Sequence, residues 1–153
     1  MKRKLFLSLA AVLMAAFAIK AQIPSDEQLR RYAAQMLMVG FKGNTVDAES
    51  DAARYIRDLK VGSIVLFDID LTGTAKLGSR NITSHQQLAK LTADLQAFAD
   101  YPLLIAADQE GGRVRRLKPA YGYEKLPEAE YLGNLDNRDT TKHYARLMTE
   151  QAA

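Results

Sequence analysis

The sequence predicts an α/β fold built on a parallel sheet, and two observations carry that prediction. Three short apolar runs (residues 37–41, 63–67 and 103–107) show no polar alternation, and segments of helical periodicity lie between them. Unbroken apolar strands are what a sheet buried on both faces requires, and alternation of strand with helix implies parallel pairing through right-handed crossovers.

The elements follow in order. Ser25 and Gln28 have capping-box spacing, and Leu29, Tyr32, Ala33, Met36 and Leu37 then recur at helical intervals, overlapping the first apolar run. A second stripe, Ala48, Ala52, Tyr55, Ile56 and Leu59, predicts a helix over residues 47–59 before the second strand. Ser84 and Gln87 repeat the capping box and lead into Leu88, Leu91, Leu95 and Phe98 before the third strand. A last helix is expected from about Asp139, with Tyr144, Leu147 and Met148 on one side, running to Ala153. Residues 68–83, rich in Gly and Thr, and residues 111–137, with Pro119 and Pro127, read as loops. The chain stops inside an apolar-striped helix without a glycine cap, so the expectation is the first part of a longer domain.

The first 21 residues read as a signal peptide. Lys2, Arg3 and Lys4 precede a run that is apolar from Leu5 to Ile19 except for Ser8, and small residues stand at Ala18 and Ala21. That run is shorter than the roughly 17–25 residues of a membrane-spanning helix. The expected destination is therefore the periplasm or the exterior, with no stable membrane anchor. Residues 1–21 hold four basic and no acidic residues, which leaves 17 bases against 18 acids in residues 22–153. The chain's positive charge thus belongs to the targeting segment and points to no nucleic-acid partner. The absence of cysteine excludes disulfides and thiolate metal sites.

The stretch with most chemical content runs from Leu103 through Asp108-Gln109-Glu110-Gly111-Gly112-Arg113-Val114-Arg115-Arg116. A buried strand delivers the acidic residues at its carboxyl end, where parallel α/β folds gather their sites. If the pleat continues, Asp108 and Glu110 point the same way, and the two glycines let the chain turn. From the residues alone, three readings stay open. They are a polar strand end closed by an internal Asp–Arg or Glu–Arg bridge, a ligand site held by arginines, or a pair of glycosidase carboxylates.

The string Asp108-Gln109-Glu110-Gly111-Gly112-Arg113-Val114 with Arg116 resembles the signature of glycoside hydrolase family 3, in its β-N-acetylhexosaminidase branch. Gln35 to Phe41, Val61 to Phe67, Asn81-Ile82 and Leu126-Pro127 resemble further family segments, so the similarity covers roughly residues 27 to 153. The resemblance implies the first portion, about three β/α units, of a (β/α)₈ TIM barrel in residues 22–153. It implies retaining hydrolysis of a terminal β-linked N-acetylhexosamine on an N-acetylglucosamine-containing glycan, with no cofactor and no metal. Carried over, Asp108 would accept hydrogen bonds from sugar hydroxyls and Arg116 would help hold the same sugar or shape its pocket, while Glu110 and Arg113 would support the loop. The family's nucleophile and its histidine loop fall downstream of the matched region. No catalytic residue is therefore expected before Ala153, and the chain alone is expected to be inactive. His85 and His143, each placed in a helix, read as surface residues.

Two alternatives stand beside this reading. A family 3 β-glucosidase is the nearer one. The other rests on Asp68-Ile69-Asp70-Leu71-Thr72, which fits the Asp-x-Asp-x-Thr pattern of Mg²⁺-dependent haloacid-dehalogenase-type phosphatases. The absence of tryptophan gives no support to a module that binds sugar by stacking alone. Protein recovered from cells is expected to begin near Gln22 on amino-terminal sequencing, and recovery of Met1 would exclude cleavage.

Overall fold

The computed structural model describes residues 23–73 and 75–152; the expected signal peptide, residues 1–21, lies outside the described residues. The chain divides into two compact units between Arg31 and Tyr32.

Helix α1 (Asp26–Gln35) opens on the capping box read from the sequence. The Ser25 amide donates to Gln28 Oε1 at 2.9 Å, and the Gln28 amide donates to Ser25 Oγ at 3.2 Å. Its last apolar positions depart from expectation, because Tyr32 and Met36 are exposed. Strand β1 is only Met38–Val39, shorter than predicted. Beyond Val39 the backbone turns to side chains for its partners: the Phe41 carbonyl accepts from Arg80 Nε at 2.9 Å and from Asn81 Nδ2 at 3.2 Å.

Helix α2 (Asp51–Arg57) is also shorter than its periodicity suggested, because Ser50 caps it, accepting from the Ala53 amide at 3.3 Å. Asp47 instead makes a turn, taking the Glu49 amide at 3.2 Å. Lys60, at φ 59°, adopts the left-handed conformation soon after the helix ends. Strand β2 (Ser63–Leu66), helix α3 (His85–Ala97) and strand β3 (Leu104–Ala107) fall within a residue of expectation. Ser84 caps α3 by accepting from the Gln87 amide at 3.1 Å. The Gln87 side chain reaches past Ser84 to the Thr83 amide, at 2.9 Å.

The sheet is parallel in the order β1-β2-β3, with Met38 beside Ser63 and Ser63 beside Leu104. Alternate side chains leave a strand on opposite faces. Ile64 and Leu66 point into a core shared with Ala52 and Ile56 of α2 and Leu91 and Leu95 of α3. Each buried Ile or Leu among them contributes roughly 1.5–3 kcal/mol. On the opposite face, Met38 and Leu104 remain 47% and 60% exposed. Coverage of both faces is thus not what the described residues show. The strand order never reverses, so successive right-handed crossovers lay their helices on one side.

After β3 the chain makes a hairpin, a 3₁₀ turn and a short helix that the sequence hid, and then the last helix, which begins within a residue of the expected Asp139. Strands β4 (Gln109–Gly111) and β5 (Val114–Arg115) form an antiparallel hairpin with irregular register. A 3₁₀ turn (Pro119–Tyr121), helix α4 (Ala129–Leu135) and helix α5 (Arg138–Ala152) follow. Gly111 and Gly112, at φ 83° and 54°, are required by the hairpin. A Cβ on Gly111 would lie 2.0 Å from the Pro127 carbonyl oxygen.

Asn81 ties the carboxyl ends of β1 and β2 together. Fully buried, it accepts the Phe67 amide at 2.9 Å and donates to the carbonyls of Phe41 and Gly43 at 3.2 and 2.7 Å. Each buried backbone group left without a partner costs roughly 1–3 kcal/mol. Asn81→Ala is expected to lower the stability measured by urea unfolding by about 3 kcal/mol. Asn81→Asp should fare no better, because a carboxylate cannot donate to either carbonyl; wild-type midpoints for both variants would overturn this role.

Candidate functional site at the carboxyl end of the sheet

The two strand-end aspartates meet one arginine. Asp68, two residues beyond β2, is completely buried, and Asp108, directly after β3, is 45% exposed at its side chain. Arg116 returns from the β4–β5 hairpin and divides its guanidinium between them. Its Nη2 donates to Asp108 Oδ2 at 2.9 Å, while Nη1 lies 3.5 Å from Asp68 Oδ1, an ion pair without a hydrogen bond. Asp108 and Arg116, named from the sequence, are therefore brought together. The internal Asp–Arg bridge and the ligand-site reading describe the same pair.

The backbone that carries Arg116 is fixed by Gln109. Its Oε1 accepts from the amides of Arg116 and Leu117 at 2.9 and 3.0 Å, and its Nε2 donates to the Leu117 carbonyl at 3.1 Å. The Arg116 amide also donates to the Asp108 carbonyl at 3.0 Å. Phe67 sits beneath two guanidinium groups, with Arg80 at 4.6 Å and Arg116 at 5.4 Å from its ring centre. Glu110 and Arg113 are exposed, and their side chains form no ion pair or hydrogen bond with a described residue.

Sequence reasoning passed over Lys118 and Tyr121, and it considered Asp68 only as a phosphatase residue. Lys118 Nζ forms a short ion pair with Asp68 Oδ2, and the Tyr121 hydroxyl donates to the same oxygen at 3.1 Å. Tyr121 in turn accepts the Gly78 amide at 2.8 Å, reaching into the 68–83 loop. Burial, with the Asp68 charge adding to it, pushes the Tyr121 phenol above its ordinary range, so Tyr121 remains a donor at neutral pH. The signal for Asp68 was available: it follows an apolar strand much as Asp108 does.

The phosphatase pattern does not act as one unit. Asp68 belongs to the buried cluster, whereas Asp70 binds its own turn, accepting from the Thr72 hydroxyl at 2.7 Å and the Thr72 amide at 3.0 Å, with Lys42 at 3.1 Å. His85 is exposed and packs against Tyr123, with ring centres 5.4 Å apart, beside a groove of about 590 Å³ between α3 and α5. His143 is exposed on α5 against Tyr144. Neither histidine joins the Asp108 cluster. Among the described residues no three His, Asp or Glu converge as a metal-binding set.

A parallel β/α segment whose strands end on a shared cluster of carboxylates and cations is of the α/β class, in which sites gather at the carboxyl ends of the strands. The chain belongs to glycoside hydrolase family 3: the family model described as "Glycosyl hydrolase family 3 N terminal domain" matches residues 28–153. It is 38% identical over 112 residues to a β-hexosaminidase of Nitrosomonas eutropha, covering 72% of this chain and 28% of that protein. Similarity to a β-hexosaminidase of Bordetella pertussis is 37% over 114 residues, covering 74% and 28% respectively. Among solved structures, a family 3 β-N-acetylglucosaminidase from Paenibacillus sp. str. FPU-7 superposes with a TM-score of 0.67 at 32% identity, over 80% of this chain and 21% of that one. NagZ from Neisseria gonorrhoeae, solved with N-trifluoroacetyl-D-glucosamine, gives 0.52 at 30% identity, over 71% and 27%. The chain thus spans under a third of the length of the relatives it matches. Family membership and the separate networks of Asp68 and Asp70 displace the phosphatase reading.

Hydrogen bonds from Thr72, then Lys42, hold the Asp70 carboxyl at about 2, below its ordinary 3.8. Because the folded value is depressed, the contribution of Asp70 to stability is present above pH 3.8 and is lost as pH falls toward 2. Carbon NMR titration should place the Asp70 midpoint near 2, and Thr72→Val should raise it. A midpoint of 3.8 in the wild type would remove the Asp70 turn as an anchor of the loop.

Proposed function

We propose that this chain is the sugar-binding amino-terminal part of an exported, retaining β-N-acetylhexosaminidase. In this reading residues 1–21 direct export, and residues 22–153 contribute the first three or so β/α units of a (β/α)₈ barrel. The substrate is a glycan ending in β-linked N-acetylglucosamine. Asp108 accepts hydrogen bonds from the terminal sugar's hydroxyls, and Arg116 donates to the same ring. The nucleophile and the acid/base group come from outside these 153 residues, so the chain alone turns nothing over.

The observation that carries the proposal is the half-exposed Asp108 carboxylate at the sheet's carboxyl end, held beside a guanidinium aimed by two acids. A neutral, hydroxyl-rich ligand needs acceptors and donors fixed in advance, so that binding does not spend its energy on ordering them. Charged groups suit this work, because hydrogen bonds to them are worth about 1.5–3 kcal/mol each. The β-hexosaminidase relatives and the two N-acetylglucosamine-related structures support the choice of sugar.

The test is a hybrid barrel in which residues 28–153 replace the aligned segment of the Nitrosomonas eutropha relative. Hydrolysis of p-nitrophenyl N-acetyl-β-glucosaminide is expected, with a clear preference over the β-glucoside. Asp108→Ala should lower kcat/KM by roughly 10²-fold or more, as loss of a charged contact made in the transition state implies. Near-normal kinetics in that variant would sink the assignment of Asp108, and preference for the glucoside would make the protein a β-glucosidase.

A further inference from the structure

We infer that Asp68 is a positioning residue for the sugar site: it holds one arm of Arg116 away from Asp108, so that Asp108 keeps an oxygen for the ligand. The inference deepens the proposed function and rests on it only for the identity of the ligand.

An arginine facing a lone carboxylate tends to bind it through two parallel hydrogen bonds. Such a fork would occupy both oxygens of Asp108 and both terminal nitrogens of Arg116, leaving little for sugar hydroxyls. The observed arrangement is different. Nη2 serves Asp108 Oδ2 at 2.9 Å, Nη1 is drawn toward Asp68 Oδ1 at 3.5 Å, and Asp108 Oδ1 is engaged by no described group. Asp68 is the only described acid besides Asp108 that forms an ion pair with Arg116.

Asp68 itself cannot shift. It is completely buried, and Lys118 and Tyr121 fix its other oxygen. Asp68 Oδ1 has no hydrogen-bond partner, nor does the buried Nε of Arg116. A buried carboxylate oxygen without a donor is costly, and the nearby guanidinium charge offsets that cost without closing a hydrogen bond. The pair is therefore held by charge at a distance, which restrains the guanidinium but leaves its hydrogens available.

The experiment uses the 153-residue chain, with free N-acetylglucosamine as the probe and side-chain NMR of Arg116 and Asp108 as the readout. In the wild type, Nη1 and Nη2 of Arg116 should appear as two distinct environments, and the sugar should shift both residues. Asp68→Asn should move Arg116 onto Asp108, merge the two nitrogen environments and weaken N-acetylglucosamine at least 10-fold. Removing a buried charge leaves Lys118 unpaired, so the double variant Asp68→Asn with Lys118→Met is measured beside it to keep the charge balanced. Tyr121→Phe retains every charge and nearly all the volume, and a smaller weakening, about 2- to 5-fold, is expected, because Asp68 loses one donor but keeps Lys118, while the Gly78 amide loses its acceptor in the loop.

Folded variants with unchanged Arg116 signals and unchanged affinity would overturn the inference. If the sugar leaves the wild-type spectrum unmoved, the assignment of the ligand fails, and the Arg116 nitrogen signals alone decide whether Asp68 positions the guanidinium. If Asp108→Ala abolishes binding while the Asp68 variants bind normally, the sugar site stands and the role of Asp68 falls.

Discussion

A carboxylate with no access to water governs the carboxyl end of this sheet. Asp68 is delivered into the interior shortly after β2, and an ionised acid there is tolerated only if cations and donors surround it. The partners come from a segment about fifty residues further on: Arg116, Lys118 and the Tyr121 hydroxyl. For them to reach Asp68, the chain leaving β3 must reverse within a few residues. The β4–β5 hairpin does this, and its glycines lie so close to Pro127 and Glu128 that no side chain fits. The Gly-Gly step is in this sense a consequence of where the buried acid sits.

The same requirement organises the loop after β2. Tyr121 bridges Asp68 and the Gly78 amide, while Asn81 closes the loop onto Phe67, Phe41 and Gly43. Arg80 crosses Phe67 and binds the Phe41 carbonyl, so one aromatic ring carries both Arg80 and the site's Arg116. The ends of β1 and β2 are thus joined by side-chain bonds to backbone groups, where ladder hydrogen bonding has stopped, and the end of β3 is tied to β2 through Arg116 between Asp68 and Asp108. The resulting surface mixes opposite charges at short range and has little net charge, which suits an uncharged polyhydroxyl ligand better than an anion.

Much of the fold was legible because core strands and capped helices announce themselves locally. The apolar runs ending at Phe67 and Ala107 place β2 and β3 within a residue, and Ser84 marks the start of α3. Legibility failed where tertiary contacts overrule pattern. Leu59 fits the α2 stripe, but Ser50 caps the helix late and Lys60 turns left-handed soon after its end, so Leu59 stays exposed. The hairpin strands are too short for a two-residue period to register, and α4 contains Gly133 and lacks a side-chain cap. At the site, Asp108 and Arg116 were visible as a string, whereas Lys118 and Tyr121 carry no motif and become meaningful only against Asp68.

The sequence by itself determined the types of the sheet strands and the helices α1, α2, α3 and α5, the α/β class, the Asp108–Arg116 segment and its likeness to family 3, because each depends on residues within one turn or one short string. Tertiary structure alone decided that both crossover helices lie on one side of the sheet, since handedness and strand order are properties of the assembled chain. It also decided that one arginine is shared by two aspartates forty residues apart in sequence. No local rule pairs Asp68 with Arg116; the parallel register of β2 and β3 does, by bringing their carboxyl ends side by side.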